Sequence, residues 1–228
     1  MFLYIQLNKY KKYIIMNYSI LSQNISIVIL GKFVPESIDP IWMVKNNILA
    51  IEDLENGFKS SPEMLFFRTR KFEVLINRDR LQVVSFSISD SDLICDFVIK
   101  LLMCKKSEEL KAVGINSQKI FSLLSDLDML NFCHHFAPLD ALTPISYNSL
   151  MLNMEWQSWE EPQTDSSPSK QISLKRVIFD KNRPCFSISV NNHRKISSFE
   201  EAIKVIKTEA NQQHFAFNEQ FKRMMESF

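Results

Sequence analysis

Residues Lys71–Leu102 have the sequence KFEVLINRDRLQVVSFSISDSDLICDFVIKLL, which carries the clearest pattern of strands and helix in the chain. Apolar and polar residues alternate on both sides of the short polar turn Arg78-Asp79, which predicts two antiparallel strands joined as a hairpin. The apolar phase slips by one residue at Val83-Val84, which predicts a β-bulge. Asp90 or Ser91 can then cap a helix whose apolar residues form one stripe. A hairpin followed by an amphipathic helix indicates an α+β protein.

The same pattern recurs about 100 residues further along the chain. The tetrapeptide Phe-Ser-Ile-Ser stands at Phe86–Ser89 and again at Phe186–Ser189, each time before a predicted helix. We therefore predict one α+β domain over residues 25–228, with antiparallel sheet built from two strand-hairpin-plus-helix halves, 25–145 and 146–228. The alternative is that a favourable alternating strand sequence occurs twice by chance.

Residues 1–24 are predicted to be an N-terminal extension. The first sixteen residues are apolar and aromatic, but Lys9, Lys11 and Lys12 divide them into runs too short to span a bilayer. No small-residue cleavage site follows, so no signal peptide is predicted. Either Met16 is the natural start of the protein, or the segment forms an edge strand or a short surface helix.

Composition excludes several classes of function. The chain has 27 basic and 26 acidic residues, so no overall field attracts it to nucleic acid or to anionic lipid. Only three glycines are present, which disfavours Gly-rich phosphate loops. The four cysteines are scattered without CxxC spacing and are predicted to be reduced, mostly buried thiols. A cytoplasmic protein that does not engage a membrane is the expectation.

The end of the chain carries the strongest periodic signal. Ser197 and Ser198 precede Glu200 and Glu201 by three residues and predict overlapping capping boxes. Apolar residues then recur every three or four positions for about thirty residues, or about 45 Å of helix. Such a helix either crosses its own sheet or offers its apolar stripe to a partner or a second copy. The predicted partner-binding residues are His214, Phe217, Phe221, Met224 and Phe228.

Under the partner hypothesis, truncation after Gln213 is expected to abolish partner binding while the sheet stays folded. The competing hypothesis is nucleic-acid binding through basic hairpins that lie side by side. Its predicted contact residues are Arg68, Arg70, Arg78, Arg80, Lys181 and Arg183. Acidic residues interrupt both basic clusters, and Lys and Arg on strand edges commonly protect against aggregation.

Catalytic and metal-binding chemistry finds little support. Cys133-His134-His135 is the densest group of potential ligands, but adjacent helical residues diverge by about 100° and cannot share one metal. Neither a metal nor a cofactor is predicted. No cysteine or histidine has a local feature that marks it as an activated nucleophile. The sequence therefore favours a binding protein over an enzyme.

The order of several short segments resembles a sporadically distributed family of uncharacterised bacterial proteins, in which a long helix also closes the chain. The segments are Gly31-Lys32-Phe33, Pro40-Ile41-Trp42, Phe72-Glu73, Asp79-Arg80 and Val113-Gly114-Ile115-Asn116. The likeness covers most of residues 25–228 and supplies no catalytic residues. It implies a bacterial, cytoplasmic accessory protein from a mobile or phage-defence locus. The combined expectation is a non-catalytic protein–protein interaction subunit of a bacterial multi-protein system.

Overall fold

A computed structural model describes residues 17–54, 58–105, 109–136, 153–159, 169–177 and 185–227. Nine strands and four α-helices are present in these ranges, which confirms the α+β prediction. The strands are β1 (Tyr18–Gly31), β2 (Phe58–Ser60), β3 (Met64–Arg68), β4 (Phe72–Asn77), β5 (Arg80–Ser85), β6 (Leu110–Leu123), β7 (Asn153–Trp159), β8 (Ser169–Val177) and β9 (Cys185–Lys195). The helices are α1 (Pro40–Lys45), α2 (Ser91–Cys104), α3 (Asp126–Phe136) and α4 (Phe199–Glu226). Short 3-10 turns lie at Pro35–Ser37, Ile51–Leu54 and Ile88–Asp90.

The strands form a single antiparallel sheet in the order β2-β3-β4-β5-β1-β6-β9-β8-β7. Its centre is the pair of long strands β1 and β6, each of 14 residues. On one side lie β5, β4 and β3, and on the other β9, β8 and β7. Each side has a long strand, a helix, a run of strands and a second helix in chain order, and among the described residues that run has four strands in the first unit (β2 to β5) and three in the second (β7 to β9). The molecule is therefore an internal repeat about the β1–β6 pair, with β2 as an additional edge strand.

The repeated order of elements runs from β1 to α2 and again from β6 to α4. The predicted halves, 25–145 and 146–228, stay a prediction. Pairing between β1 and β6 sets the observed order, and composition along the chain carries no sign of it. Residues 18–24, predicted as part of the extension, belong to β1 and pair with β6 alone. Residues 1–16 lie outside the described ranges.

The two Phe-Ser-Ile-Ser segments have different structures. β5 ends at Ser85, Phe86 is 54% exposed, and Ile88 begins a 3-10 turn. Phe186, in contrast, is fully buried inside β9. The apolar phase slips because the strand ends there, and the pairing of β5 with β4 and β1 runs continuously through Val83-Val84. The predicted bulge is therefore wrong, and the repeat lies in the order of elements rather than in this tetrapeptide.

One face of the sheet is apolar and carries the helices, because alternate residues along each strand point to the same side. The opposite face is polar, with hydrogen bonds from Asn24 to Gln118 (2.8 Å) and from Gln118 to Ser187 (2.8 Å) across β1, β6 and β9. Under the helices the core divides into two clusters. The first contains α1, α2 and the start of α4, and the second contains α3 and the end of α4.

Candidate functional site

Helix α4 is positioned by a cap that the sequence predicted in outline. The Ser198 hydroxyl accepts a hydrogen bond from the Glu201 backbone N–H (3.1 Å), and the Glu201 carboxylate accepts one from the Ser197 backbone N–H (2.8 Å). From this start the helix continues for 28 residues, about 42 Å, along β6. Of the two arrangements open from the sequence, α4 has the one in which the helix crosses its own sheet.

An apolar groove of about 430 Å³ lies between the second half of α4 and strands β7, β8 and β9. Its size falls within the range typical of ligand-binding clefts. All but one of the lining side chains are apolar or aromatic, and the exception is Gln220. The lining residues are Phe136, Trp156, Ile172, Leu174, Ile188, Val190, Phe217, Gln220, Phe221 and Met224. We call this site the apolar groove.

Strand register builds the floor of the apolar groove. Leu174 pairs with Ile188, and Ile172 lies between Val190 on one side and Trp156 on the other. These residues therefore form adjacent rows on the helix-bearing face. Trp156 stands at the outer margin and is 39% exposed. The sequence predicted alternating strands here, but it held no sign that they would lie beside α4.

In the first repeat unit, the surface of the sheet that corresponds to the apolar groove is covered by other residues of the chain. There the connection from β1 to β3 packs over the sheet, and Ile38, Met43 and Leu49 from it are buried in the first core cluster. Strand β2 then pairs with the outer edge of β3. In the second unit, the strand that corresponds to β3 is β7, and none of the described residues pairs with its outer edge.

The margin of the apolar groove is basic. Lys170 and Arg176 of β8 occupy the helix-bearing face, and Lys170 donates a hydrogen bond to Gln220 (3.3 Å). Arg223 is exposed one helical turn beyond Gln220. Among the described residues of β7 and β8, no Asp or Glu occupies a position on this face. Glu155 lies on the opposite face, where it pairs with a lysine.

The predicted partner-binding residues separate into three groups. Phe217, Phe221 and Met224 line the apolar groove, although the two phenylalanines are mainly buried against the sheet. His214 is completely buried beneath α4. Phe228 lies outside the described ranges. The strand residues of the groove were missed because only their pairing, not their sequence, brings them to α4.

Polar groups interrupt the contact between α4 and β6. The Ser117 hydroxyl and the Nδ1 atom of His214 share a hydrogen bond of 2.8 Å, and burial lowers the pKa of His214 to about 4. Lys119 is only 3% exposed; its Nζ atom donates to the Asn218 side-chain oxygen and lies 4.6 Å from the centre of the Phe221 ring. Burial lowers the pKa of Lys119, and the nearby Glu219 carboxylate acts in the opposite direction.

Four of the six predicted nucleic-acid residues lie in the described ranges, all of them around the first hairpin. Arg68 pairs with Glu73, and Arg78 pairs with Glu63 at 2.8 Å. The rows of the sheet place Arg80 with Lys195, at the end of β9 opposite to its first residue, Cys185. The turn of the first hairpin therefore lies at the end of the sheet opposite to Cys185. Arg70 lies in the turn before β4, whereas Lys181 and Arg183 are outside the described ranges, and nucleic-acid binding stays a prediction.

The side chains considered for catalysis have ordinary surroundings. Cys133 is buried, while His134 and His135 are exposed on the same helix. All four cysteines are thiols rather than disulfides, and three of them are buried. Burial raises the pKa of Cys95 to about 12, with the Asp92 and Asp96 carboxylates adding to the effect. This thiol is therefore poorly suited to act as a nucleophile.

Comparison with known proteins gives no family assignment, since no protein-family model and no curated protein matches the chain. None of the described helices combines the length and the apolar character needed to cross a membrane.

Proposed function

We propose that this protein is a non-catalytic binding subunit whose apolar groove takes up an apolar segment of a partner protein. The observation that carries the proposal is the groove itself, an opening of about 430 Å³ lined by aliphatic and aromatic side chains. Apolar grooves beside helices commonly bind apolar segments of other proteins. The first repeat unit supports a polypeptide occupant, because there a turn-rich apolar segment and a short strand cover the corresponding surface.

The charges at the groove margin specify the partner further. Lys170 and Arg176 flank the apolar floor, and the described residues of β7 and β8 carry no carboxylate on the same face. Electrostatic complementarity favours a partner segment in which acidic residues flank the apolar ones. The occupant that we propose is therefore an apolar protein segment with acidic flanks.

The cellular setting belongs to the same proposal. A cytoplasmic role in a bacterial multi-protein system, with phage defence as one setting, is motivated by the resemblance of the short segments between residues 31 and 116. The genes that neighbour this one in its native genome test the setting directly. Neighbours that encode components of one such system would support it, and unrelated housekeeping neighbours would count against it.

Two single variants test the groove in a pull-down from the native host. Trp156→Lys and Met224→Lys place a charge in the groove without altering a fully buried position, since Trp156 is 39% exposed and Met224 is half-buried. We expect both variants to lose a partner that the unaltered protein retains, with affinity reduced at least about tenfold, or about 1.4 kcal/mol. Cross-linking followed by mass spectrometry should place the contact in an apolar partner segment with acidic flanks.

The matched control is Phe215→Lys. Phe215 is 53% exposed on the same helix and does not line the groove. This variant should retain the partner, and all three variants should melt within a few degrees of the unaltered protein. Equal retention by the groove variants and the control would contradict the proposal, as would a contact site that maps to the basic hairpin at Arg78.

A further inference from the structure

Polar side chains separate the two halves of α4. The helix residues of the first core cluster end at Ala210, and those of the second begin at Phe217. Between these two positions Asn211 bonds to Ser91 and Asp92 of α2, and His214 bonds to Ser117 of β6. Asn218 follows and accepts a bond from Lys119. We call the set Ser117, Lys119, Asn211, His214 and Asn218 the polar seam.

Burying the polar seam away from water costs free energy. Among the described residues, the Nε2 atom of His214 is buried without a hydrogen-bond partner, and a buried unsatisfied polar atom costs about 1–3 kcal/mol. The ammonium of Lys119 is also buried, and no carboxylate in the described part of the chain makes a salt bridge with it, although burial of a charge is favourable only when the charge is well paired. Both groups regain water when the helix above them lifts.

The second half of α4 also has less lateral support than the first. Helix α2 begins at Ser91, and its hydrogen bonds to α4 are made at Asn211. Beyond this point, the described residues place no helix on the β1 side of α4, where β1 has no β5 neighbour at residues 18–24. The apolar groove occupies the other side. Residues 214–226 are held by their contact with the sheet below and by α3, which shares the second core cluster with them.

We infer that residues 214–226 of α4 open locally from the sheet, with the polar seam as the breakpoint, while the rest of the molecule stays folded. Opening uncovers Phe217, Phe221 and Met225, which are buried in the closed molecule. Proteins open in cooperative units whose stabilities lie below that of the whole fold. The idea that this opening regulates access of a partner to the apolar groove rests on the proposed function. The opening itself does not depend on that function.

Hydrogen–deuterium exchange on the full chain at neutral pH, without a partner, measures the opening. We expect the backbone amides of residues 215–225 to exchange about 100-fold faster than those of residues 203–210 in the same helix. Lys119→Met removes the buried charge at nearly constant volume and should slow exchange of residues 215–225 by about tenfold, leaving residues 203–210 unchanged. Lys207→Met, on the exposed side of the first half, is the matched control and should change neither segment.

A second variant keeps the test informative if Lys119→Met fails to fold. Ser117→Ala combined with His214→Leu removes both partners of a buried hydrogen bond and should also slow exchange of residues 215–225. Equal protection of the two halves of α4 would overturn the inference, as would exchange of residues 215–225 that neither variant slows. If residues 215–225 do not exchange faster but Trp156→Lys still weakens partner binding, the inference of local opening is wrong and the proposed function stands. An observed opening combined with partner binding that tolerates Trp156→Lys would remove the proposed function alone.

Discussion

Gly31 ends β1 at a point where the backbone of another strand connection passes very close. A Cβ atom at Gly31 would lie 2.6 Å from the carbonyl oxygen of Glu109, a distance that forces the backbone to move. The same oxygen accepts a hydrogen bond from the Lys32 backbone N–H at 3.0 Å. A Cβ atom at Gly114 would instead meet its nearest neighbours at 3.6 Å, an ordinary contact distance.

We therefore predict that Gly31→Ala lowers the free energy of unfolding by about 1–3 kcal/mol, as overpacking does in a well-packed interior. Gly114→Ala is the matched control and should be neutral or slightly stabilising, because glycine weakens a strand interior. Urea denaturation of the two variants measures the difference. Equal stabilities would mean that the close approach at Gly31 is not rigid.

His214 gives the protein a predictable sensitivity to acid. Its pKa is lowered from an ordinary value of 6.5 to about 4 because burial disfavours the imidazolium. The unfolded chain therefore binds a proton at higher pH than the folded one, so stability is present above pH 6.5 and is lost as the pH falls towards 4. Each pH unit between these values costs about 1.4 kcal/mol.

Denaturation measured at several pH values between 6.5 and 4 tests this directly. His214→Gln should remove most of the slope, and His193→Gln, on the polar face of the sheet, should keep it. A variant at position 214 that loses stability with acid as steeply as the unaltered protein would show that other groups cause the effect.

At the scale of elements, the apolar stripe of α4 packs on the sheet of the same chain, whereas the sequence left open whether it would contact the sheet or a partner. The apolar period and the serine caps predicted its start and length, and these features are local. What the stripe contacts depends on strand pairing between residues far apart in the chain. The stripe packs on the sheet, and its margin forms the apolar groove only because β8 and β9 pair beside β6.

Truncation after Gln213 should therefore weaken the part of the sheet under the second core cluster, while the part under the first cluster stays folded. Removal of the following residues uncovers Phe121, Phe186 and Ile188, which are buried in the second core cluster. Each buried apolar side chain contributes about 1.5–3 kcal/mol, and the truncation removes Phe217 and Phe221 together with a methionine.

Circular dichroism and thermal melting of the truncated chain measure this outcome. We expect aggregation or a melting temperature lowered by at least about 10 °C. A truncated chain that melts like the full-length protein would mean that the second half of α4 contributes little to the core.

At the scale of the whole molecule, the main finding is the internal repeat about β1 and β6. Hydrophobic periodicity predicted a repeated hairpin and helix, because each unit has that local pattern. The boundary of the repeat could not be predicted from the sequence, because it depends on pairing between distant residues such as Ile27 and Ile115. The apolar groove could not be predicted for the same reason, since it depends on which strands pair beside α4.

The most direct test of the central claim is methyl NMR of the protein labelled at its methionine methyl groups. The ligand is a synthetic peptide with five apolar residues flanked by Asp and Glu, and a second peptide with the same core and lysine flanks serves as the comparison. Met224 lines the apolar groove, and Met103 is 58% exposed elsewhere. We expect the acidic peptide to shift the Met224 signal in a saturable way and to leave the Met103 signal in place, with the basic peptide binding at least about tenfold more weakly. No shift at Met224 with either peptide, or equal shifts at both methionines, would contradict the proposal that the groove binds an apolar segment with acidic flanks.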